Sequence, residues 1–185
     1  MPKTVALSGR CSPTPKGKRL VGMSMYSKGK AFVGAALLLD SQCASEPTDY
    51  VVLYLLCQGF EVTLKGLLLL RDYDRFEGRL QKPIGHNLVK LANSASKAFG
   101  IKPVSPALMN ELAGVNSLYS SPTQFLRYGN EHDIPVDPRT VTRNRIFHRL
   151  AAVIRLAERE LPKSDPYPAR PPSAQLSPQR QNIPQ

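Results

Sequence analysis

The chain has 185 residues, with 25 Lys and Arg against 14 Asp and Glu, for a formal charge of +11 at neutral pH. That length accommodates one domain with tails but leaves little room for two independent cores. Three cysteines (Cys11, Cys43, Cys57) form no CxxC pair and are too few for a disulfide scaffold, which points to a reducing, cytoplasmic setting.

A charge of +11 suggests a nucleic-acid binder, but the charge is unevenly placed. Residues 1–39 carry seven basic residues and no acid, whereas residues 40–161 carry a net charge of only +2. Residues 1–27 contain Pro2, Pro13 and Pro15 with Gly9, Gly17 and Gly22, and read as a disordered basic arm. No apolar run follows the basic start, so a secretory leader is not expected.

Helical patterns occupy residues 28–161. The first, about 28–39, ends at Asp40-Ser41-Gln42. The second, about 49–71, starts at Asp49 and is apolar over more than half its circumference, as a central bundle helix would be. Gln58, Glu61 and Lys65 form one polar stripe on it. The same residues interrupt its apolar run, so no membrane span is expected. Gly59 and Gly66 weaken this helix but let a neighbour approach.

Arg71 to Gly85 reads as a charged connection. Asn87 then caps a helix over Leu88–Phe99, with Leu88, Leu91, Ala92, Ala95 and Phe99 on one face and Gly100 ending it. A fourth helix follows Pro106 and runs from Ala107 to about Tyr119. A short turn follows Pro122. The last helix runs from about Pro138 to Leu161, with Ile146, Leu150, Val153, Ala157 and Leu161 as its core stripe. Residues 162–185 hold seven prolines and almost no large apolar residue, which reads as a disordered, proline-rich tail. No strand or hairpin pattern occurs, so the fold class is all-α, a four- to five-helix bundle over 28–161.

Three segments carry a family resemblance. Gly59-Phe-Glu61-Val-Thr-Leu-Lys65 resembles an E-x2–3-K helix, Gly85-His86-Asn87-Leu88-Val-Lys-Leu91 a G-H-D/N-L-x-x-L signature, and Leu126-Arg127-Tyr128 an Arg-Tyr turn before the last helix. Together they are similar to the HEPN family of small helical bundles. The resemblance implies one of two behaviours. Some members are metal-independent ribonucleases with an R-x4–6-H motif, acting as dimers in toxin–antitoxin or defence systems. Others lack that motif and bind nucleotides or protein partners, often beside a nucleotidyltransferase.

Two R-x4-H pairs are present, Arg127/His132 and Arg143/His148. In metal-free RNA cleavage a histidine moves the 2′-hydroxyl proton and an arginine holds the phosphate. On a continuous helix Arg143 and His148 stand roughly 140° apart, which favours Arg127/His132 across the break at Gly129-Asn130. Either pair is weighed against an ordinary solvated face, since two fixed positions in six recur by chance. Residues 138–160 carry six arginines against Glu158 and Glu160, and Arg139, Arg143, Arg145 and Arg149 are candidate nucleic-acid contacts. His86 is read as part of a helix start, and Glu61–Lys65 as an i,i+4 pair of small energy. The histidines and cysteines show no metal spacing, and no cofactor motif occurs, so neither is expected. The expected functions are a non-catalytic HEPN-like module, homodimeric or paired with a nucleotidyltransferase; a ribonuclease; or a basic binder of RNA.

Overall fold

The computed structural model describes residues 13–42, 46–101, 105–120, 125–128 and 143–161, and among them every regular element is helical. These are α1 (Pro15–Gln42), α2 (Glu46–Arg71), α3 (Tyr73–Gln81), α4 (Leu88–Ala98), α5 (Pro106–Tyr119), α6 (Phe125–Tyr128) and α7 (Arg143–Glu160).

Two elements differ from the sequence reading. α1 begins at Pro15, not near Lys28, so half of the expected disordered arm is helix. Its start is a capped one: Thr14 Oγ1 accepts the Gly17 N–H at 3.2 Å, and proline suits the first helical position. The charged connection after Arg71 holds α3, whose N-cap Asp72 accepts the Arg75 N–H at 3.1 Å. Phe76 and Leu80, one turn apart, bury its inner side.

α1 and α2 form an antiparallel hairpin in unusually close contact. Gly22, Gly29 and Ala36 recur every seven residues on α1, opposite Gly59 and Gly66 on α2. A Cβ on Gly66 would lie 2.5 Å from the Tyr26 backbone nitrogen, and one on Gly59 would lie 2.6 Å from Val33 Cγ2. Such distances leave no room for any side chain, so these glycines are contact positions rather than helix breakers.

α3, α4 and α7 pack chiefly on α2, while α5 packs on α4, α6 and α7. Leu53, Leu64, Leu67 and Leu68 of α2 meet Leu88, Leu91, Ala92 and Ala95 of α4, Leu112 and Val115 of α5, and Leu150, Val153 and Ala157 of α7. Phe60 stacks on Phe147, with ring centroids 5.1 Å apart. α2 is long and apolar enough to cross a membrane, but most of that stretch is buried in this core. Cys57 is buried within it and forms no disulfide, while Cys11 and Cys43 lie outside the described residues. Glu158 ties α7 to α1 by accepting from Tyr26 Oη and Lys30 Nζ. The proline-rich segment 162–185 lies outside the described residues.

Candidate functional site

The polar stripe of α2 is not on the surface. Glu61 is turned into the bundle, its side chain 3% exposed. One of its oxygens accepts Lys65 Nζ at 2.8 Å, and the other accepts the Tyr119 hydroxyl at 2.6 Å. His86 Nδ1 stands 2.9 and 3.1 Å from the two oxygens. Tyr119 also lies 2.6 Å from the Gln58 side-chain oxygen. A phenol has one proton, and the charged Glu61 is the stronger acceptor.

Local chain geometry places each member. Glu61 and Lys65 are one helical turn apart on α2. His86 sits in the turn between α3 and α4, where Gly85 adopts φ +56 and the Asn87 N–H bonds the Ile84 carbonyl at 3.1 Å. A left-handed residue at 85 reverses the chain and aims the next side chain back at α2. The start of α4 is then pinned twice. Asn87 Oδ1 accepts the Lys90 N–H at 2.9 Å, and Asn116 Oδ1 of α5 accepts the Leu88 N–H at 2.8 Å.

The electrostatics follow from the partners. Burial pushes the Glu61 carboxyl up, but the Lys65 charge, the hydrogen bonds from Lys65 and Tyr119, and the charge of His86 outweigh it. The net result holds Glu61 below the usual carboxylate range. An ionised Glu61 can only accept, so His86 must carry its proton on Nδ1 toward it. Half of the His86 side chain is exposed, and with Lys65 it lines a cleft of about 430 Å³ between α1, α2 and α3.

Of the candidate residues singled out from the sequence, His148 and Arg149 have described side chains. His148 is exposed on α7 beside a separate cavity of about 170 Å³, walled by Val33, Leu37, Phe60 and Phe147. Arg149 is exposed one residue on. Arg127 belongs to α6, and Arg143 and Arg145 to the first turn of α7. His132 and Arg139 lie outside the described residues, and so does the stretch that would join Arg127 to His132. Among the described residues no cluster of three or more His, Cys, Asp or Glu could hold a metal ion.

Sequence reasoning paired Glu61 with Lys65 but did not join His86 to them. It missed Tyr119 and Asn116 altogether. A tyrosine one turn beyond an asparagine, among the apolar Leu112, Val115 and Leu118, was the available signal, because such groups need partners when buried. Compared with known proteins, the chain matches no family model, and no curated protein and no solved structure is significantly similar to it.

Proposed function

We propose that the chain is a HEPN-like binding module that engages RNA through the outer side of α7. The observation that carries this reading is the state of the arginines there. Arg149, Arg155 and Arg159 are exposed, and among the described residues no carboxylate pairs with them. Glu158, the acid nearest them in sequence, is drawn toward α1 by Tyr26 and Lys30. Arg155 and Arg159 are one turn apart and stand opposite the buried Val153 and Ala157. Unpaired guanidinium groups on a rigid helix suit phosphate oxygens. The resemblance of Glu61, Lys65 and His86-Asn87-Leu88 to HEPN motifs supports the fold half of the reading, and a homodimer or a nucleotidyltransferase partner would accompany it.

The test is binding of single-stranded RNA by the full chain, followed by fluorescence anisotropy over a range of salt. Affinity should fall steeply with salt, and Arg155→Ala with Arg159→Ala should lower the slope by about one for each of these arginines that meets a phosphate. No binding at low salt, or a slope indifferent to both changes, would overturn the reading.

A ribonuclease remains the second reading, because His148 is exposed on the same helix. RNA incubated with the chain in a metal chelator should stay intact. Cleavage that disappears in His148→Ala or His132→Ala would replace the module reading with the enzymatic one.

A further inference from the structure

α1 packs on α2 through Gly22, Gly29 and Ala36, and the opposite side of the helix is left to solvent. At 3.6 residues per turn, Leu20, Ser24, Ser27 and Ala31 form the crest of that outer side, and all four are exposed. Leu20 is 41% exposed, and its neighbours Val21 and Met23 are 40% and 39% exposed. Between Leu20 and Ala31 the crest carries no charge. Its flanks do: Arg19 and Lys30 fall to one side of it and Lys28 to the other, each roughly 80–100° around the helix axis. Lys16 stands one turn before Leu20.

The charge on this side of the bundle is mostly of one sign. α1 holds five cations and a single acid, Asp40, in its last turn. Residues 1–14 add Lys3 and Arg10 and no acid. Lys18 is paired with Asp74 at 2.6 Å, and Lys30 shares Glu158 with Tyr26. The adjoining stretch 71–81 is neutral, with three arginines against Asp72, Asp74 and Glu77. Since α1 itself is net +4, the side keeps +3 once Glu158 is counted. Asp40 and Asp49 lie at the far end of the hairpin, so the excess is concentrated between Lys16 and Lys30.

Apolar side chains set among cations select the partner. RNA would meet the charges and leave Leu20 and Met23 in water, because phosphates offer them nothing. A second copy docked through this face would bring Arg19 and Lys28 against their own equivalents, and like charges repel. An anionic bilayer answers both features, with headgroups for the flanking cations and an acyl boundary for the crest. The long stems of lysine and arginine let their charges stay at headgroup level while the crest lies deeper.

We infer that the N-terminal half of α1 rests on the surface of an anionic lipid bilayer, with Leu20 and Met23 at the acyl boundary and Lys16, Arg19 and Lys28 among the headgroups. The apolar stretch of α2 stays in the core, so the chain lies along the membrane and does not cross it.

Co-sedimentation of the full chain with vesicles tests it. Vesicles of equal parts phosphatidylcholine and phosphatidylserine should bind at least about tenfold more tightly than phosphatidylcholine alone. Leu20→Gln with Met23→Gln should weaken that binding by about tenfold or more, since glutamine does not enter the acyl boundary. Lys28→Gln should weaken it by about fivefold, and Arg155→Ala, one charge removed from α7, should weaken it less. Both apolar residues are exposed, so the fold tolerates their change, and Lys28→Gln decides the matter should the double variant unfold. Equal binding to the two kinds of vesicle, no binding to either, or a loss from Arg155→Ala as large as that from Lys28→Gln would overturn the inference. So would vesicle binding by the folded double variant at full strength. A dimer that the double change dissolves, or RNA binding that it weakens, would assign the face to a second copy or to RNA and overturn it too.

Discussion

Gly29 of α1 sits directly on Thr63 of α2: a Cβ at residue 29 would run into both Thr63 Oγ1 and the Thr63 backbone nitrogen. The second of these atoms is backbone, so no rotamer change relieves the clash. Gly29→Ala must push the two longest helices apart, and we expect a loss of about 1–3 kcal/mol or more in urea unfolding. Gly34, five residues on, has nothing within 4 Å of a built Cβ. Gly34→Ala should stabilise the chain by about 0.5–1 kcal/mol through helix propensity and unfolded-state entropy. Equal effects from the two changes would mean that the hairpin is looser than this contact implies.

Glu61 gives the protein an acid-sensitive centre. Its folded carboxyl titrates below its unfolded value, which lies near ~4.3. A lowered pKa contributes stability that is complete above the unfolded value and is lost as pH falls through the folded one. The urea midpoint should therefore decline below about pH 4, and the decline should be shallower in Glu61→Gln. At neutral pH that variant leaves Lys65 nearly buried without a counter-charge, a loss of about 3 kcal/mol. The double change Glu61→Gln with Lys65→Met should lose less than the two single changes summed, since it strands neither partner.

Two glycines adopt left-handed backbone, Gly85 with φ 56 and Gly100 with φ 64. Alanine at either should cost about 1 kcal/mol. Only Gly85 sets the direction of His86. The imidazole 15N signals of His86, read by NMR, should shift in Gly85→Ala and stay in place in Gly100→Ala.

The start of α4 offers a comparison between a local and a distant cap. Asn87→Ala removes a bond within the turn, and a loss of about 1 kcal/mol is expected. Asn116→Ala strands the buried Leu88 N–H, whose 2.8 Å partner comes from α5, and should cost about 1–3 kcal/mol. Thermal unfolding of the two variants ranks them, and a harmless Asn116→Ala would contradict the pinning of α4 by α5.

Where a helix buries one regular face and carries its own end signals, its sequence was enough to read it. For α4, all five expected core residues are buried, Asn87 caps the start and Gly100 turns the end. On α7, Leu150, Val153 and Ala157 are buried as the 3.6 spacing requires, and Phe147 and Ile154 widen that stripe. The misreadings came from residues with two meanings. Gly17 and Gly22 weigh against a helix in isolation, although Thr14-Pro15 beside them carries a start signal. The nine residues of α3 were hidden by their charge, although Asp72, Phe76 and Leu80 supplied a cap and an i,i+4 pair.

The seven basic residues in the first 39 and the near-neutral stretch 40–161 are facts of sequence, and so are the helical patterning and the apolar faces of α2, α4 and α7. Each depends on composition or on spacings within a few residues. Only the tertiary structure decided that Gly22 and Gly29 are contacts, because a glycine is read as a breaker until another backbone is seen against it. It also decided that the Glu61–Lys65 pair is a buried centre rather than a surface trifle. Its partners Tyr119 and His86 are 58 and 25 residues from Glu61 along the chain, and no local pattern encodes a hydrogen bond over that separation.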